Sequence, residues 1–310
     1  MKLKKTEHFG IQRKIVANMT SESWRSIPHV SYMYEADVTE LFTYYKEMNS
    51  EYSTRVTFNT IILKIITEGL KAAPEMNSHL NFNRRLVRGQ INTFENINIS
   101  MPTILPDGKM MTVNLRNFES RDLDDMTAYI NDVTRRAENT NLTEALFSVS
   151  FNDTVKALKK GHILKTVYRL VGSKTGKHRV KTLSGKAKRE YESIPEGERL
   201  TFRDLEQGTV TVSNIGSTYL GQKGAMALLE IVPPQVCAFG VGAVQKKPVV
   251  TEGDRIEVRQ ILPICIAFDH RALDFGEITP FMKRLDEIFA NPEIIFSWRS
   301  EERKLKRISA

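Results

Sequence analysis

Three runs in the C-terminal half of this 310-residue chain, "GTVTVSNIG", "QVCAFGVGAV" and "RQILPICIAF", constrain its fold more than anything else in the sequence. They are rich in β-branched and small residues and apolar on both faces. A strand that is apolar on both sides needs cover above and below, so these runs belong in the middle of a sheet. Candidate covering helices lie elsewhere in the chain. Residues 11–25 carry Ile11, Ile15, Met19 and Trp24 on one side, and Pro28 ends the helix. "TFNTIILKIITEGLKAAP" sets Ile61, Ile62, Ile65, Ile66 and Leu70 at helical spacing, with Thr57 as cap and Pro74 as stop. "DLDDMTAYINDVTRRAEN" aligns Leu123, Met126, Ile130 and Val133, and "GEITPFMKRLDEIFANP" aligns Ile278, Phe281, Met282, Leu285, Ile288 and Phe289. "HVSYMYEADV" reads as a strand that leads into a helix capped by Thr39. Short strands are expected around Leu86 and from Ile97 to Met101, and "LPDGKMMTVNL" holds a Pro-Asp-Gly turn between extended segments. The pattern is α+β: a mixed β-sheet flanked by helices, in one domain over residues 1–310 with an insertion at about 140–200.

With 41% hydrophobic residues the chain can bury a large core. Its two cysteines, Cys237 and Cys265, sit inside apolar strands without CxxC spacing, which suggests neither a disulfide framework nor a metal site and points to a reducing, cytoplasmic location. No run approaches the roughly 18 apolar residues of a spanning helix. The formal charge of +8 is uneven: twelve basic and no acidic residues fall between Lys156 and Arg189. There, "ALFSVSFNDTVKALKKGHILKTVYRLV" spaces apolar residues nearly as a helix does and interleaves them with lysines. Such a basic amphipathic segment suits an anionic membrane surface or an acidic partner. Equally, its apolar face packs on its own domain while the lysines are solvated. Nucleic acid is the less favoured partner, because stacking aromatics are sparse.

In "ICIAFDHRALDFGEITPF" an apolar strand breaks into Asp269-His270-Arg271, with Asp274 four residues after the histidine. On a tight turn this spacing lets the carboxylate order the loop, or pair with a nearby arginine, while the imidazole points outward. An unperturbed imidazole, with a pKa near 6.5, suits a general base. Alone the pattern is weak, since a histidine after a strand is more often structural, as His29 in "IPHV" is read to be. "GVGAV" is an internal strand with no helix start after it, and so not a dinucleotide loop.

Taken together the motifs resemble one family, the catalytic domains of dihydrolipoamide acyltransferases from 2-oxo acid dehydrogenase complexes, relatives of chloramphenicol acetyltransferase. "DHRALDFG" is similar to that family's D-H-R-x-x-D-G motif, "TVSNIG" to its T-[IV]-S-N-x-G strand, and "RKIVANM", "PHVSYMYEADVTEL" and "PPQVCAFGVGAV" to further segments in the same order. The resemblance covers nearly the whole chain except the insertion. It implies a chloramphenicol acetyltransferase-like fold and a homotrimer whose active sites lie between subunits, with the histidine and the serine supplied by neighbouring chains. Coenzyme A and a lipoyl group carried on another chain would be the substrates. The implied roles are His270 as base, Ser213 as donor to the oxyanion and Asp274 as support for the loop. A thiol of pKa near 8.5 gives its proton to imidazole at a cost of about two pKa units, roughly 2.7 kcal/mol, and a hydroxyl bonded to the tetrahedral oxyanion contributes a few kcal/mol.

Three departures bear on this reading. Phe275 stands where the family has a glycine after the aspartate, which puts acyl and acceptor preference in question. No lipoyl-type Asp-Lys-Ala hairpin precedes the catalytic segment, so a lipoyl-domain protein is an expected partner. A charged stretch, "SWRSEERKLKRISA", follows "NPEIIF" where apolar ends are usual, favouring an isolated trimer over a larger core. Two alternatives stay open: transfer to a non-lipoyl acceptor, and a non-catalytic trimeric scaffold with a basic docking segment. The acyl group is not specified.

Overall fold

The computed structural model describes residues 1–52, 54–104, 110–159, 171, 180 and 182–300. The Pro-Asp-Gly turn at 106–108 and most of the basic run from Lys156 to Arg189 lie outside the described residues. The elements in chain order are α1 (Ile11–Ser26), β1 (His29–Asp37), α2 (Thr39–Glu51), α3 (Phe58–Ala72), β2 (Ser78–Asn83), β3 (Arg88–Thr93), β4 (Ile99–Ile104) and β5 (Met110–Leu115). They continue with α4 (Leu123–Glu138), α5 (Leu142–Lys159), α6 (Gly185–Ser193), α7 (Phe202–Leu205), β6 (Val210–Asn214), β7 (Cys237–Val241), β8 (Gln245–Thr251), β9 (Arg255–Asp269) and α8 (Phe275–Ala290). The chain divides into two compact units, one of Met1–Glu22, Thr103–Val113 and Asp132–Gln207, the other of Ser23–Pro102, Asn114–Asn131 and Gly208–Ala310.

The large sheet has the order β1-β9-β7-β6-β4-β5, with β8 pairing β9. It is mixed: β9 runs antiparallel to β1, β7 and β8, while β6 runs parallel to β4 and β7. The three doubly apolar runs become β6, β7 and the second half of β9, and β7 and Ile261–Asp269 are buried throughout. On one face Phe239 of β7 stacks on Phe281 of α8 with centroids 5.2 Å apart. In turn α8 packs against α3 at Gly69, where an added Cβ would come within 2.6 Å of the Phe281 ring. On the other face Ala238 and Ala267 cluster with Ile27 and Ile231, flanked by Leu228 and Leu229. Alternation along β7 places Ala238 and Phe239 on opposite faces, which is why both sides had to be apolar.

Local sequence explains most of the boundaries. Thr57 caps α3, accepting the Thr60 N–H at 3.1 Å. Thr39 does not cap α2: it is the first helical residue, and the Asp37 carboxylate accepts its N–H at 2.9 Å. Leu86 is not in a strand but in the exposed turn of the β2–β3 hairpin. β8, a strand not expected from "QKKPVVT", pairs with β9 at the sheet's margin, where Pro248 costs no central ladder bond. On α1 only Ile11 of the expected stripe is buried, and Trp24 is exposed. Two residues of the charged stretch are core instead: Trp298 and Arg299 are buried, and the Arg299 guanidinium lies 4.3 Å from the Tyr52 ring centroid, 2.9 Å from Asp124 and 3.1 Å from the Thr54 carbonyl.

In the smaller unit Asn141 accepts the Glu144 N–H at the start of α5, and Arg136 forks onto Asp204 at 2.9 and 3.2 Å. Asp204 also closes a capping box with Thr201 at α7. On α6, Lys186 and Lys188 face Glu190 and Glu192 one turn on, which offsets part of the basic run within its own helix.

Candidate active site

The Asp269–Asp274 loop is tied down at nearly every residue. Asp269, whose side chain is 1% exposed, accepts the Arg271 N–H at 3.0 Å and is gripped by the Arg271 guanidinium, Nε to Oδ1 at 2.9 Å and Nη2 to Oδ2 at 2.6 Å. This bidentate pair is the geometry that makes arginine–carboxylate bonds strong. The Asp269 carbonyl accepts from Ala272 and Leu273, the Asp269 N–H bonds to the Val236 carbonyl, and the His270 N–H bonds to the Pro28 carbonyl at 3.2 Å. Arg271 in turn lies over the Phe82 ring, 5.7 Å from its centroid. The first and third residues of the Asp-His-Arg motif therefore clamp each other, leaving the histidine side chain to project.

His270 is half-exposed. Its Nδ1 stands 3.2 Å from the Leu273 carbonyl oxygen and 3.2 Å from Asp274 Oδ1. Both neighbours are acceptors, so Nδ1 carries the proton of the neutral ring and Nε2 presents its lone pair outward. Asp274 is also the N-cap of α8, in a capping box with Glu277 whose carboxylate accepts the Asp274 N–H at 2.8 Å. One carboxylate thus starts a helix and orients an imidazole. The D-x-x-E spacing that announces this box was present in the sequence but went unread.

Ser213 lies on β6, 8% exposed, opposite Gly240 of β7. Among the described residues nothing takes up its hydroxyl. Its neighbour Asn214 is held by Asn59 at 2.7 Å and accepts the Ser217 N–H at 3.0 Å, forming the turn that ends the strand. Gly216 is obligatory in that turn, since a Cβ there would sit 2.2 Å from the Gly242 carbonyl oxygen. Two residues before Ser213 on β6, Thr211 donates to Gln235, which donates to the Gly208 carbonyl. Sequence reading missed Asn59 and Gln235, because both act from distant segments. The glycines of "GVGAV" are explained by packing: Cβ atoms at Gly240 and Gly242 would strike Met226 and Pro263.

His29 is engaged on both ring nitrogens. Nδ1 faces the Ile27 carbonyl at 3.0 Å and Nε2 accepts the Ile231 N–H at 3.2 Å, which fixes the start of β1 beside the histidine loop. Burial lowers its pKa despite the carbonyl bond.

Within one chain the serine and the histidine stay apart. Gly240 pairs with Ser213 on one side and Cys265 on the other, so the serine lies two strands from β9, roughly 10 Å across. His270 lies five residues beyond Cys265, roughly 17 Å along the strand. The two side chains are on the order of 20 Å apart, too far to meet at one carbonyl.

The mixed sheet thus presents an oriented imidazole after one strand and, on another, a serine whose hydroxyl no described residue takes up. The family model described as 2-oxoacid dehydrogenases acyltransferase (catalytic domain) matches residues 2–150 and 175–297, and the chain belongs to that family. Among its relatives is the dihydrolipoyllysine-residue acetyltransferase component of the pyruvate dehydrogenase complex of Staphylococcus epidermidis, 24% identical over 293 residues, covering 94% of this chain and 52% of the relative. The lipoamide acyltransferase component of the branched-chain alpha-keto acid dehydrogenase complex of Bacillus subtilis is 24% identical over 289 residues, covering 90% and 52%. The chain thus spans about half the length of these relatives. The dihydrolipoamide acetyltransferase of Azotobacter vinelandii superposes with a TM-score of 0.64 at 19% identity, covering 95% of this chain and 94% of that one, a likeness that shows the fold.

Proposed function

We propose that this chain is a coenzyme A-dependent acyltransferase that exchanges an acyl group between coenzyme A and a dihydrolipoyl thiol. The observation that carries the reading is the His270 ring, its Nδ1 proton facing Leu273 and Asp274 and its Nε2 free on a clamped loop. Nε2 takes the proton of the attacking thiol as the thiolate adds to the thioester carbonyl. The Ser213 hydroxyl donates to the oxyanion, and collapse of the tetrahedral adduct expels the second thiol, which recovers the proton. Both thiols bind together, so no acyl-enzyme is required.

The separation of Ser213 from His270 within one chain supports a homotrimer in which each site takes its histidine from one subunit and its serine from the next. In the Azotobacter enzyme a serine, a histidine and an asparagine four residues beyond that histidine were investigated for catalytic roles. The equivalent spacing here reaches Asp274, which supports a role in orienting the base. In this reading the whole chain is one catalytic domain with a basic insertion at about 140–200, within which the family model leaves residues 151–174 unmatched, and a lipoyl-domain protein is the cytoplasmic partner.

The test is transfer from acetyl-coenzyme A, and from longer acyl thioesters, to dihydrolipoamide. Wild type is expected to be active and His270→Ala to lose about 10²- to 10⁴-fold in kcat. Equal activity in the two proteins overturns the assignment of the base. Among the described residues no helix is long and apolar enough to cross a membrane, so the assay is set up in aqueous solution.

A further inference from the structure

Two large rings stand exposed beside the histidine loop. Phe275, the first residue of α8, follows Asp274 directly and is 50% exposed; Tyr32 of β1 is 38% exposed and meets it edge-on, with centroids 5.5 Å apart. Tyr32 and Tyr34 lie two apart on β1 and share the face turned to α8. The seam is closed at the Tyr34 end, where that ring stacks on Phe289 and its hydroxyl donates to Asp286 at 2.5 Å. It is open at the other end: among the described residues the Tyr32 hydroxyl has no hydrogen-bond partner.

The open end lies at a telling distance from the imidazole. Tyr32 is three residues from His29, whose cross-strand partner is Asp269, so Tyr32 lies roughly 10 Å along the strand from the histidine loop, and Phe275, directly after the Asp274 that contacts His270, stands between them. In a dihydrolipoyl acceptor the reacting sulfur is followed by an apolar alkyl arm of comparable length, whereas the arm behind the coenzyme A thiol is interrupted by polar amides. With the acceptor's sulfur at Nε2, its methylenes reach the two rings.

We propose that Phe275, with Tyr32, is a specificity-determining residue that binds the apolar arm of the acceptor thiol. The inference rests on the acyltransferase reading, and covering two or three methylenes is worth a factor of ten or more in affinity. Calorimetric titration of dihydrolipoamide into wild type, Phe275→Ala and Phe275→Leu tests it, with dithiothreitol as a dithiol that has no arm. Phe275 is exposed and the Asp274–Glu277 box does not use its side chain, so the variants should fold; circular dichroism checks this. The expected result is that the ratio of the dihydrolipoamide to the dithiothreitol affinity falls about tenfold in Phe275→Ala and recovers in Phe275→Leu. An unchanged ratio, or a wild type that binds dihydrolipoamide no better than dithiothreitol, overturns the proposal. Acyl exchange assayed alongside separates the two ideas. An active wild type with an unchanged ratio rejects only the role of Phe275. An inactive wild type with the shifted ratio rejects thioester exchange and keeps the arm site.

Discussion

At residue scale the decisive side chain is Asp274, because it faces both a helix and an imidazole. Its two duties separate under substitution. Asp274→Asn keeps a capping oxygen and an acceptor for the His270 Nδ1 proton, so stability should hold within a few tenths of a kcal/mol and activity should fall only modestly. Asp274→Ala removes both, and about 1 kcal/mol of stability should be lost together with a larger fall in kcat. Denaturant unfolding and steady-state acyl transfer on the two variants check this. If Asn and Ala are equally inactive, charge rather than orientation is what the imidazole needs. The residue-level site was legible to the extent that it was written locally. His270 and Asp274 share one loop and Ser213 has a motif around it, while the clamp of Asp269 by Arg271 was only one of several possible pairings. Asn59, Gln235 and Phe82 were not legible, since their contacts are set by segments far away in sequence.

Among the elements, β1 has the most consequence for its size: Pro28, the residue just before it, holds the histidine loop through its carbonyl, and His29 holds the start of β1. Burial lowers the His29 pKa, and burial also lowers that of His79, which packs against Phe94 and faces the Gly208 carbonyl. For a histidine whose folded pKa lies below its unfolded value, near 6.5, the unfolded chain binds more protons as the solution becomes acid. Stability should therefore be constant above about pH 6.5 and decline as the pH falls through the folded pKa values. Urea midpoints between pH 8 and 5 measure the decline, and His29→Gln should shallow it; an unaltered slope in that variant removes His29 from the account. The same scale marks where sequence reading succeeded and failed. Doubly apolar strands and the long helices were readable because burial on both faces, or a stripe, is periodic. β8 was hidden by Lys246, Lys247 and Pro248, which a sheet tolerates only at its margin. The strand expected at Leu86 was a hairpin turn, whose exposed Leu86 and Val87 imitate a strand's composition.

For the whole molecule, the ladder register makes a prediction that does not depend on any single contact. If each reaction centre draws its histidine and serine from different subunits, His270→Ala and Ser213→Ala should each be nearly inactive alone. Refolded together in equal amounts they should recover about a quarter of wild-type activity, the chance in a cyclic trimer that a subunit with an intact histidine precedes one with an intact serine. No recovery, from mixed oligomers verified by mass spectrometry, would mean that one chain must supply both. The buried end of the described chain carries a practical corollary for anyone cutting this protein out of a longer polypeptide or fusing it to a carrier. The family's own limit falls at residue 297, one position before Trp298 and two before Arg299, both of which fill the interior against Tyr52, Thr54 and Asp124. A boundary chosen by homology would shear off a wedge of the core, so a cut or a fusion joint has to leave Trp298 and Arg299 in place.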